Sequence, residues 1–236
     1  MRILSKVYEA TDVGCVRPIN EDSAAVFAPE VYVVADGMGG HAAGEVASHI
    51  LVKSVQADLS GREGIREAEL CDSIRHANHE ILATVAENPD CQGMGTTATV
   101  LHLEEGQAFW AHVGDSRLYL LRSGQLMQIT RDHSYVEDLV EYGEITEAEA
   151  RNHPQKNMLT RAVGVEEELE VDSGSFAVAA GDVLLLATDG LMNMVPEDEI
   201  AAILSRNDED PAKSLVAAAL HYGGRDNVTA VVVVYA

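Results

Sequence analysis

Basic residues are few in this chain. It has 16 Lys and Arg against 39 Asp and Glu, which gives a formal net charge of −23 over 236 residues. Because nucleic acids and anionic membranes attract basic surfaces, this balance argues against both as the main partner. The acidic excess suits a metal-binding protein or one that docks basic surfaces, although solubility accounts for most of the charges.

Cysteine is scarce as well, and long apolar runs are missing. Cys15, Cys71 and Cys91 are an odd number without CxxC spacing, so the sequence predicts neither a disulfide framework nor a zinc site. No run approaches the roughly 18 apolar residues that a membrane span needs. The first residues are too polar for a secretory signal. We therefore expect a cytoplasmic protein that is not held in a membrane.

Linkers and repeats are also missing. No low-complexity tract, tandem repeat or stretch rich in proline, glycine and serine divides the sequence. Residues 1–236 are therefore predicted to form one domain, which is long enough to bury a substantial core.

The apolar residues that are present follow helical and strand periods in separate blocks. Residues 31–36 are an apolar strand that ends in Asp36. A meander of short strands and turns occupies residues 96–130, and a last strand occupies residues 229–236. Helical spacing is found at residues 45–59, 74–85, 197–204 and 211–221. This order predicts an α+β fold in which helices cover antiparallel sheets.

One stretch, residues 141–170, fits neither period. It is polar throughout and contains Pro154 and Gly164. An irregular excursion of this length is either a surface loop or a lid that shapes recognition. We expect a mobile flap at about residues 144–165.

Carboxylates stand at the ends of the predicted strands. Asp36-Gly37 closes one apolar run, and Asp189-Gly190 closes another. Further carboxylates at strand boundaries are Glu21, Asp22, Asp115 and Asp226. One such residue is often only a turn former or a helix cap. Five sites together are costly to bury without compensating cations, so they favour a metal centre.

Oxygen ligands of this kind select a hard cation. Mg²⁺ and Mn²⁺ prefer octahedral coordination by carboxylates, carbonyls and water. The Gly37 carbonyl is a further candidate ligand, because glycine lets the backbone approach an ion closely. The nine histidines do not compete convincingly as ligands. The hypothesis is therefore a Mg²⁺ or Mn²⁺ site built from oxygen atoms.

Seven motifs occur in a recognisable order. They are TDVGCVRPINEDS, VVADGMGGHAAGEVAS, GMGTTATV, AHVGDSRLYLLR, ITRDHS, LLATDGLMNMV and GGRDNVT. Together they resemble the bacterial metal-dependent protein Ser/Thr phosphatases of the PPM (type 2C) family, from about Thr11 to the end of the chain. The resemblance implies a four-layer αββα sandwich, in which two central antiparallel sheets are flanked by helix pairs.

The resemblance also implies a role for each strand-end residue. Asp36 would bridge two metal ions. Asp189 and Asp226 would complete the protein ligands of the first ion, and the Gly37 carbonyl would serve the second. The remaining implied roles are outer-shell carboxylates at Glu21 and Asp22, a third and weaker ion held by Asp115 with Asp189, and a phosphate clamp at Arg17.

The chemistry that the resemblance implies is hydrolysis of phosphoserine and phosphothreonine in proteins, by a water that the Mg²⁺ or Mn²⁺ ions activate. Phosphorylated proteins are the expected substrates in a signalling role. A cytoplasmic Ser/Thr kinase is the expected opposing enzyme, and the chain is expected to be a monomer.

The source of the proton for the leaving group is open. Met38 stands where animal members carry a histidine that is proposed as the general acid. His41, three residues on, is a candidate substrate contact or simply an exposed polar residue. Metal-bound water is the alternative proton source, and a third ion at Asp115 would supply it.

Two alternative functions stay open as well. The chain could be a pseudophosphatase, a metal-stabilised module that binds phosphoproteins without turnover, although the intact aspartates and Arg17 argue against it. It could also be a partner-switch phosphatase for an anti-sigma antagonist, which has the same chemistry and a different partner.

Overall fold

The apolar runs form the central strands of two antiparallel sheets. The computed structural model describes residues 5–39, 43–206 and 208–236. In chain order the strands are β1 (Lys6–Asp12), β2 (Asp22–Phe27), β3 (Val31–Met38), β4 (Gly95–Thr96), β5 (Ala98–Glu104), β6 (Gln107–Val113), β7 (Arg117–Arg122), β8 (Gln125–Gln128), β9 (Asp172–Ala177), β10 (Val183–Ala187) and β11 (Val228–Val234). The first sheet has the order β1-β11-β10-β7-β8. The second has the order β2-β3-β5-β6-β9, with β4 paired to β3.

Helix pairs cover the outer faces of both sheets. The helices are α1 (Ala43–Leu59), α2 (Glu67–Glu87), α3 (Tyr135–Glu141), α4 (Glu147–Ala150), α5 (Asp189–Met192), α6 (Glu197–Ser205) and α7 (Pro211–His221). Helices α1 and α2 pack on the second sheet, and α6 and α7 pack on the first. The four layers confirm the predicted αββα sandwich.

Helix α1 forms because its apolar residues repeat on one face. Ala47, Leu51, Val55 and Leu59 follow one another at intervals of four residues and are fully buried. Complete burial of a Leu or Val side chain stabilises the folded state by about 1.5–3 kcal/mol. The helix is therefore held mainly by its packing on the sheet.

The space between the two sheets is filled by aliphatic side chains. They include Val34, Leu101, Leu118, Leu186 and Val231, none of which is exposed. The central strands β10 and β11 are buried on both faces, by the other sheet and by the helices. This explains why they are apolar at nearly every position instead of alternating with polar residues.

Antiparallel pairing brings the strand boundaries to one edge of the sandwich. Asp22 begins β2 and pairs with Asp36 near the end of β3. At the end of β10, Ala187 pairs with Ala230 of β11 on one side and with Arg117, the first residue of β7, on the other. The residues just beyond these boundaries therefore meet at the same edge.

The segment between β8 and β9 leaves the sandwich. It contains α3 and α4 and is mostly exposed over residues 141–161. At its base, Ser134 pairs with Leu159, and Val163 pairs with Thr96. Ala162 and Val163 are buried, so this part of the expected flap packs into the core, whereas its last residue, Val165, is exposed. The mobility of the exposed part stays a prediction.

The structure also shows the cysteines and the longest helices in their folded context. Among the described residues, no helix is both long enough and apolar enough to cross a membrane. Cys15, Cys71 and Cys91 are free thiols, the first exposed and the other two buried.

Candidate active site

The strand-end carboxylates converge at the edge where the strand boundaries meet. Asp22 and Asp36 are direct cross-strand partners, which places their side chains on the same face of the sheet. Burial raises the pKa of Asp36 well above its usual value, and the charges of Asp22, Asp189 and Asp115 raise it further. The sequence predicted these residues one by one, and the fold brings them together.

Asp189 opens the short helix α5 directly after β10. Burial raises its pKa to about 6, the charge of Asp226 adds to this, and a hydrogen bond with Asp36 opposes it. Gly190 lies so close to Asn227 that a Cβ would overlap the Asn227 carbonyl oxygen. Glycine at position 190 is therefore required for the turns that carry Asp189 and Asp226 to touch.

Asp22 is the most deeply buried of these carboxylates, at 8% exposure. Its Oδ2 accepts hydrogen bonds from the hydroxyls of Thr188 (2.8 Å) and Thr229 (2.7 Å). Its Oδ1 is buried and has no hydrogen-bond partner among the described residues. Burial raises the pKa of Asp22 to about 7, against the opposing effect of the two threonines. This half-satisfied carboxylate has one oxygen free to bind a further donor.

Asp115 lies in the turn between β6 and β7. Burial raises its pKa well above the usual value, and the charge of Asp189 raises it further. Thr97 connects this turn to Asp36, because its Oγ1 accepts from the Asp36 N–H (2.9 Å) and lies 2.7 Å from Ser116 Oγ. The two aspartates thus share one hydrogen-bonded support.

Glu21 and Gly37 lie beside Asp22 and Asp36. The Gly37 N–H donates to the Glu21 carbonyl oxygen (3.1 Å). Burial raises the pKa of the Glu21 carboxyl, while Arg17 and a hydrogen bond from the Gly44 N–H lower it. Gly37 itself is buried at the end of β3.

Arg17 stands at the rim of the cluster. Its Nη2 donates to Asp226 Oδ2 (2.8 Å), and its side chain is 47% exposed. This hydrogen bond raises the pKa of Arg17. The guanidinium therefore remains charged and accessible from solvent. The remaining candidate, His41, lies outside the described residues.

The cluster has the chemistry of a hard-cation site. All its candidate donors are oxygens, and like charges that face one another keep their pKa values high. Among the described residues, no group of three His, Cys, Asp or Glu side chains closes on a single point at ligand distance. The carboxylates are close enough for their charges to raise one another's pKa values, and this looser arrangement suits Mg²⁺ or Mn²⁺, since ions of this type keep several waters. The residues present therefore fit the predicted metal.

A cavity of about 790 Å³ begins at this cluster. Asp115 and Asp189 line its inner end, and it continues between the excursion and the start of α6. Its walls also include Arg117, Val136, Arg151, Lys156, Met192 and Glu197. The cavity is large enough to receive a side chain and its neighbouring peptide groups.

Known proteins are similar to this chain in sequence and in fold. A sequence profile described as protein phosphatase 2C matches residues 19–221. The chain belongs to the protein phosphatase 2C family. Serine/threonine phosphatase stp of Listeria monocytogenes is 42% identical over 234 residues, which cover 94% of this chain and 93% of that protein.

Solved structures of serine/threonine phosphatases superpose closely on this one. The crystal structure of the Mycobacterium tuberculosis serine/threonine phosphatase PstP gives a TM-score of 0.92 at 40% identity and covers 98% of each chain. The catalytic domain of PstP in complex with two manganese ions gives a TM-score of 0.89 at 39% identity and covers 97% of each chain.

In this phosphatase 2C domain, several supporting residues were not predicted from the sequence. Asn227 accepts from the Glu21 N–H (2.8 Å) and donates to the Val13 and Ile19 carbonyls (2.9 Å each). It thereby holds the loop that carries Arg17. Thr188 and Thr229 orient the Asp22 carboxylate by donating to it, and Thr97 holds the Asp36 backbone by accepting from its N–H. Their only sequence signal is a position next to a strand-end aspartate or within the GMGTTATV and GGRDNVT motifs.

Proposed function

We propose that this chain is a metal-dependent phosphatase that hydrolyses phosphoserine and phosphothreonine in proteins. The observation that carries the proposal is the meeting of Asp22, Asp36, Asp115, Asp189 and Asp226 from five separate chain segments at one edge. The Listeria and Mycobacterium relatives are named serine/threonine phosphatases. Their names favour turnover over the pseudophosphatase alternative.

We assign two core metal ions, Mn²⁺ or Mg²⁺, to this edge. Asp36 would contact both ions, Asp189 and Asp226 would hold the first, and the Gly37 carbonyl would hold the second. Asp115 together with Asp189 would hold a third, weaker ion. Oxygen-only donors and the two manganese ions of the PstP catalytic domain support this assignment.

The residues around the ions have separate roles in phosphate binding, water orientation and proton transfer. Bound divalent ions supply charge neutralisation and a water acidified enough to attack phosphorus at neutral pH. Arg17 binds the phosphate oxygens of the substrate, because its planar donors match them and its side chain is accessible. Glu21 and Asp22 orient water at the centre, Asp22 through its buried Oδ1, and Asp115 supports protonation of the leaving oxygen.

The excursion above the cavity selects among protein substrates. Part of the excursion lines the cavity, including Glu147, Arg151 and Lys156. Replacing the exposed tip is expected to change the preference among phosphopeptides and to leave p-nitrophenyl phosphate hydrolysis largely intact. Equal losses on both substrates would show that the segment is only structural.

We propose that the chain is one domain over residues 1–236 and a cytoplasmic monomer in a signalling pathway, where it opposes a Ser/Thr protein kinase. Its strongly acidic composition argues against nucleic acid as a partner. A partner-switch role would require only a different phosphoprotein at the same site.

The test is Mn²⁺-dependent hydrolysis of p-nitrophenyl phosphate and of a phosphothreonine peptide by the purified chain. We expect both activities to appear with Mn²⁺, to vanish with excess EDTA and to be lost in Asp226→Asn. Asp182→Asn, at the opposite edge of the sandwich, is the matched control and should stay active. Binding of the phosphopeptide without any hydrolysis would instead identify a pseudophosphatase. Phosphoproteomics of a deletion strain then identifies the substrates.

A further inference from the structure

Two buried histidines lie behind the turn that carries Asp115. The rings of His112 and His133 are tilted against each other, with their centroids 4.9 Å apart. Their exposures are 0% and 4%. Neither ring reaches the carboxylate edge, and the proposed chemistry does not use them. Buried imidazoles are retained in a core when their nitrogens are engaged, so their partners are informative.

Both histidines hydrogen-bond to Gly114, the residue before Asp115. The Gly114 N–H donates to His133 Nδ1 (3.1 Å), and the Gly114 carbonyl accepts from the His133 backbone N–H (2.7 Å) and from His112 Nε2 (3.0 Å). Because a carbonyl can only accept, His112 carries its proton on Nε2, and its Nδ1 accepts from the Thr99 hydroxyl (2.9 Å). The histidine pair therefore holds both hydrogen-bonding groups of the Gly114 backbone.

The hydrogen-bond partners of the two ring nitrogens also assign the protonation state of His133. Its Nδ1 accepts from Gly114, so a neutral ring carries its proton on Nε2, which lies 3.2 Å from Asp172 Oδ2. Arg161 Nη1 lies 3.3 Å from the same nitrogen and donates to Asp172 Oδ1 (2.8 Å), so Asp172 accepts from both side chains. Burial lowers the pKa of His133, which favours this neutral form at pH 7. The ring thus connects Gly114 on one side with Asp172, at the start of β9, on the other.

The backbone of Gly114 is in the left-handed region, which glycine adopts without strain. Its φ is +107°, and a Cβ at this position would stand 2.6 Å from Thr97 Cγ2. Thr97 is also the residue that accepts from the Asp36 N–H. The Gly114 peptide is therefore clamped between the histidine pair and the support of Asp36, which sets the direction in which Asp115 leaves the strand.

His133 also closes the base of the excursion. Its backbone carbonyl accepts from the Thr160 N–H (2.9 Å). The next residue, Ser134, pairs with Leu159 and caps α3 by accepting from the Glu137 N–H (3.3 Å). One residue thus joins the Asp115 turn to the segment that walls the cavity.

We propose that His133 is a positioning residue that sets the orientation of Asp115 through the hydrogen bond from Gly114 N–H to its Nδ1. This rests on the proposed function only where it gives Asp115 a part in phosphoester hydrolysis. The hydrogen bond from the Gly114 N–H to His133 can be measured without metal or substrate.

Two conservative variants separate the contacts of the ring. In His133→Asn the side-chain oxygen can take the place of Nδ1 and accept from Gly114, while the contact with Asp172 is lost. In His133→Gln the amide reaches towards Asp172, and the acceptor for Gly114 is lost. His102→Asn is the matched control, because His102 is also buried, at 1% exposure, and stacks on Phe109 away from Asp115.

Hydrogen exchange of the Gly114 amide, measured by NMR on metal-free protein, reports the contact directly. We expect protection in the wild type, His133→Asn and His102→Asn, and its loss in His133→Gln. With Mn²⁺, kcat for a phosphopeptide should fall about 10–100-fold in His133→Gln with KM little changed, as for other residues that orient a metal-site ligand. The His133→Asn variant should retain most of the wild-type kcat.

A double variant tests whether the ring acts through Asp115. Adding His133→Gln to Asp115→Ala should cause no further loss, because the two changes remove one and the same effect. Losses that multiply, equal loss of kcat in both His133 variants, or rapid exchange of Gly114 in the wild type would each overturn the proposal. A wild-type protein without Mn²⁺-dependent phosphatase activity would instead overturn the proposed function, and the exchange pattern would still be measurable.

Discussion

Strand β10 has an aspartate next to each end, and the two have opposite electrostatic surroundings. Asp182 precedes the strand and accepts from Arg122 Nε (2.9 Å), Arg122 Nη2 (2.6 Å) and the Ala179 N–H (2.8 Å). The hydrogen bond from Arg122 lowers the pKa of Asp182. Asp189 follows the strand, and burial together with the charge of Asp226 raises its pKa to about 6.

The difference lies in the source of the compensating charge. At Asp182 the chain provides its own guanidinium, and the end of the sheet is electrostatically complete. Near Asp189 the chain adds further carboxylates, and its cations stay at the rim, where Arg17 bonds to Asp226 and Lys156 bonds to Asn193. An end that the protein does not neutralise by itself is suited to a cation from outside.

The largest expected effect comes from Asp36→Asn. This change removes one carboxylate from the acidic end of the sheet, the edge at Asp189, and leaves the Asp182 end unchanged. Turnover should fall by about three orders of magnitude or more, because this carboxylate is assigned to both core ions. The metal-free variant should melt at the same or a higher temperature than the wild type, since one of several facing charges is gone. Calorimetry with and without Mn²⁺ checks both points, and Mn²⁺ should raise Tm only in the wild type. Full activity of the variant in excess EDTA would contradict the two-metal assignment.

Asp115→Ala is expected to have the next largest effect and to depend on the leaving group. General acid assistance is typically worth about 10²–10⁴-fold, and a Ser or Thr alkoxide needs it far more than nitrophenolate does. Phosphopeptide hydrolysis should therefore fall much more than p-nitrophenyl phosphate hydrolysis, measured side by side at saturating Mn²⁺. If both substrates slow by the same factor, or neither slows, Asp115 acts only as a turn residue.

Arg17→Ala removes a cation from the rim of the acidic end. Because Arg17 is assigned to the phosphate in both ground and transition states, KM for a phosphopeptide should rise about 10-fold while kcat changes little. Steady-state kinetics on one phosphopeptide measures this, with Arg122→Ala as the matched loss of a cation at the other end of β10. An unchanged KM would exclude Arg17 as the phosphate clamp.

The pH dependence of stability distinguishes the two ends without any substrate. The pKa of Asp22 is about 7 and that of Asp189 about 6 in the folded state, both above the unfolded value of about 3.9. A carboxyl whose folded pKa is raised stabilises the fold fully below its unfolded pKa and loses this contribution as pH rises through its folded pKa. The metal-free protein should therefore lose about 1–3 kcal/mol of stability between pH 5.5 and 8.

Comparing the wild type with Asp36→Asn shows how much of this pH dependence comes from the carboxylates near Asp189. The buried histidines have lowered pKa values, so they stabilise the fold as pH rises to about 6.5, and they do so equally in both proteins. Denaturant melts in EDTA should show the smaller loss in the variant, and Mn²⁺ should flatten the wild-type dependence. A wild-type stability that rises steadily up to pH 8 would contradict the raised carboxyl pKa values.

The smallest expected effect is that of Asp182→Asn at the neutralised end. The asparagine amide keeps one acceptor, but Arg122, which is 40% exposed, loses its charged partner. The free energy of unfolding should therefore fall by about 1 kcal/mol. Equilibrium unfolding measures it. The shift of Tm with Mn²⁺ and the turnover should both match the wild type, and a reduced Mn²⁺ response would mean that the two ends are coupled.

Most of the fold could be predicted from the sequence, because the decisive patterns are local. Apolar residues at intervals of four predicted α1, and the apolar run at residues 183–187 predicted a buried strand. The candidate site was predictable to the same extent, since an Asp-Gly pair that closes an apolar run can be recognised without a partner. Asn227 and His133 could not be predicted in this way, because their roles depend on contacts with residues far away in the chain.

The sequence by itself determined which residues stand at the strand boundaries and that their side chains are hard oxygen donors. Only the tertiary structure decided which boundaries meet. Asp182 and Asp189 look alike in the sequence, each next to the same apolar run and each beside a glycine. Their pKa values shift in opposite directions because burial and neighbouring charge are properties of three-dimensional packing, and the antiparallel register brings Arg122 to one end and four other aspartates to the other.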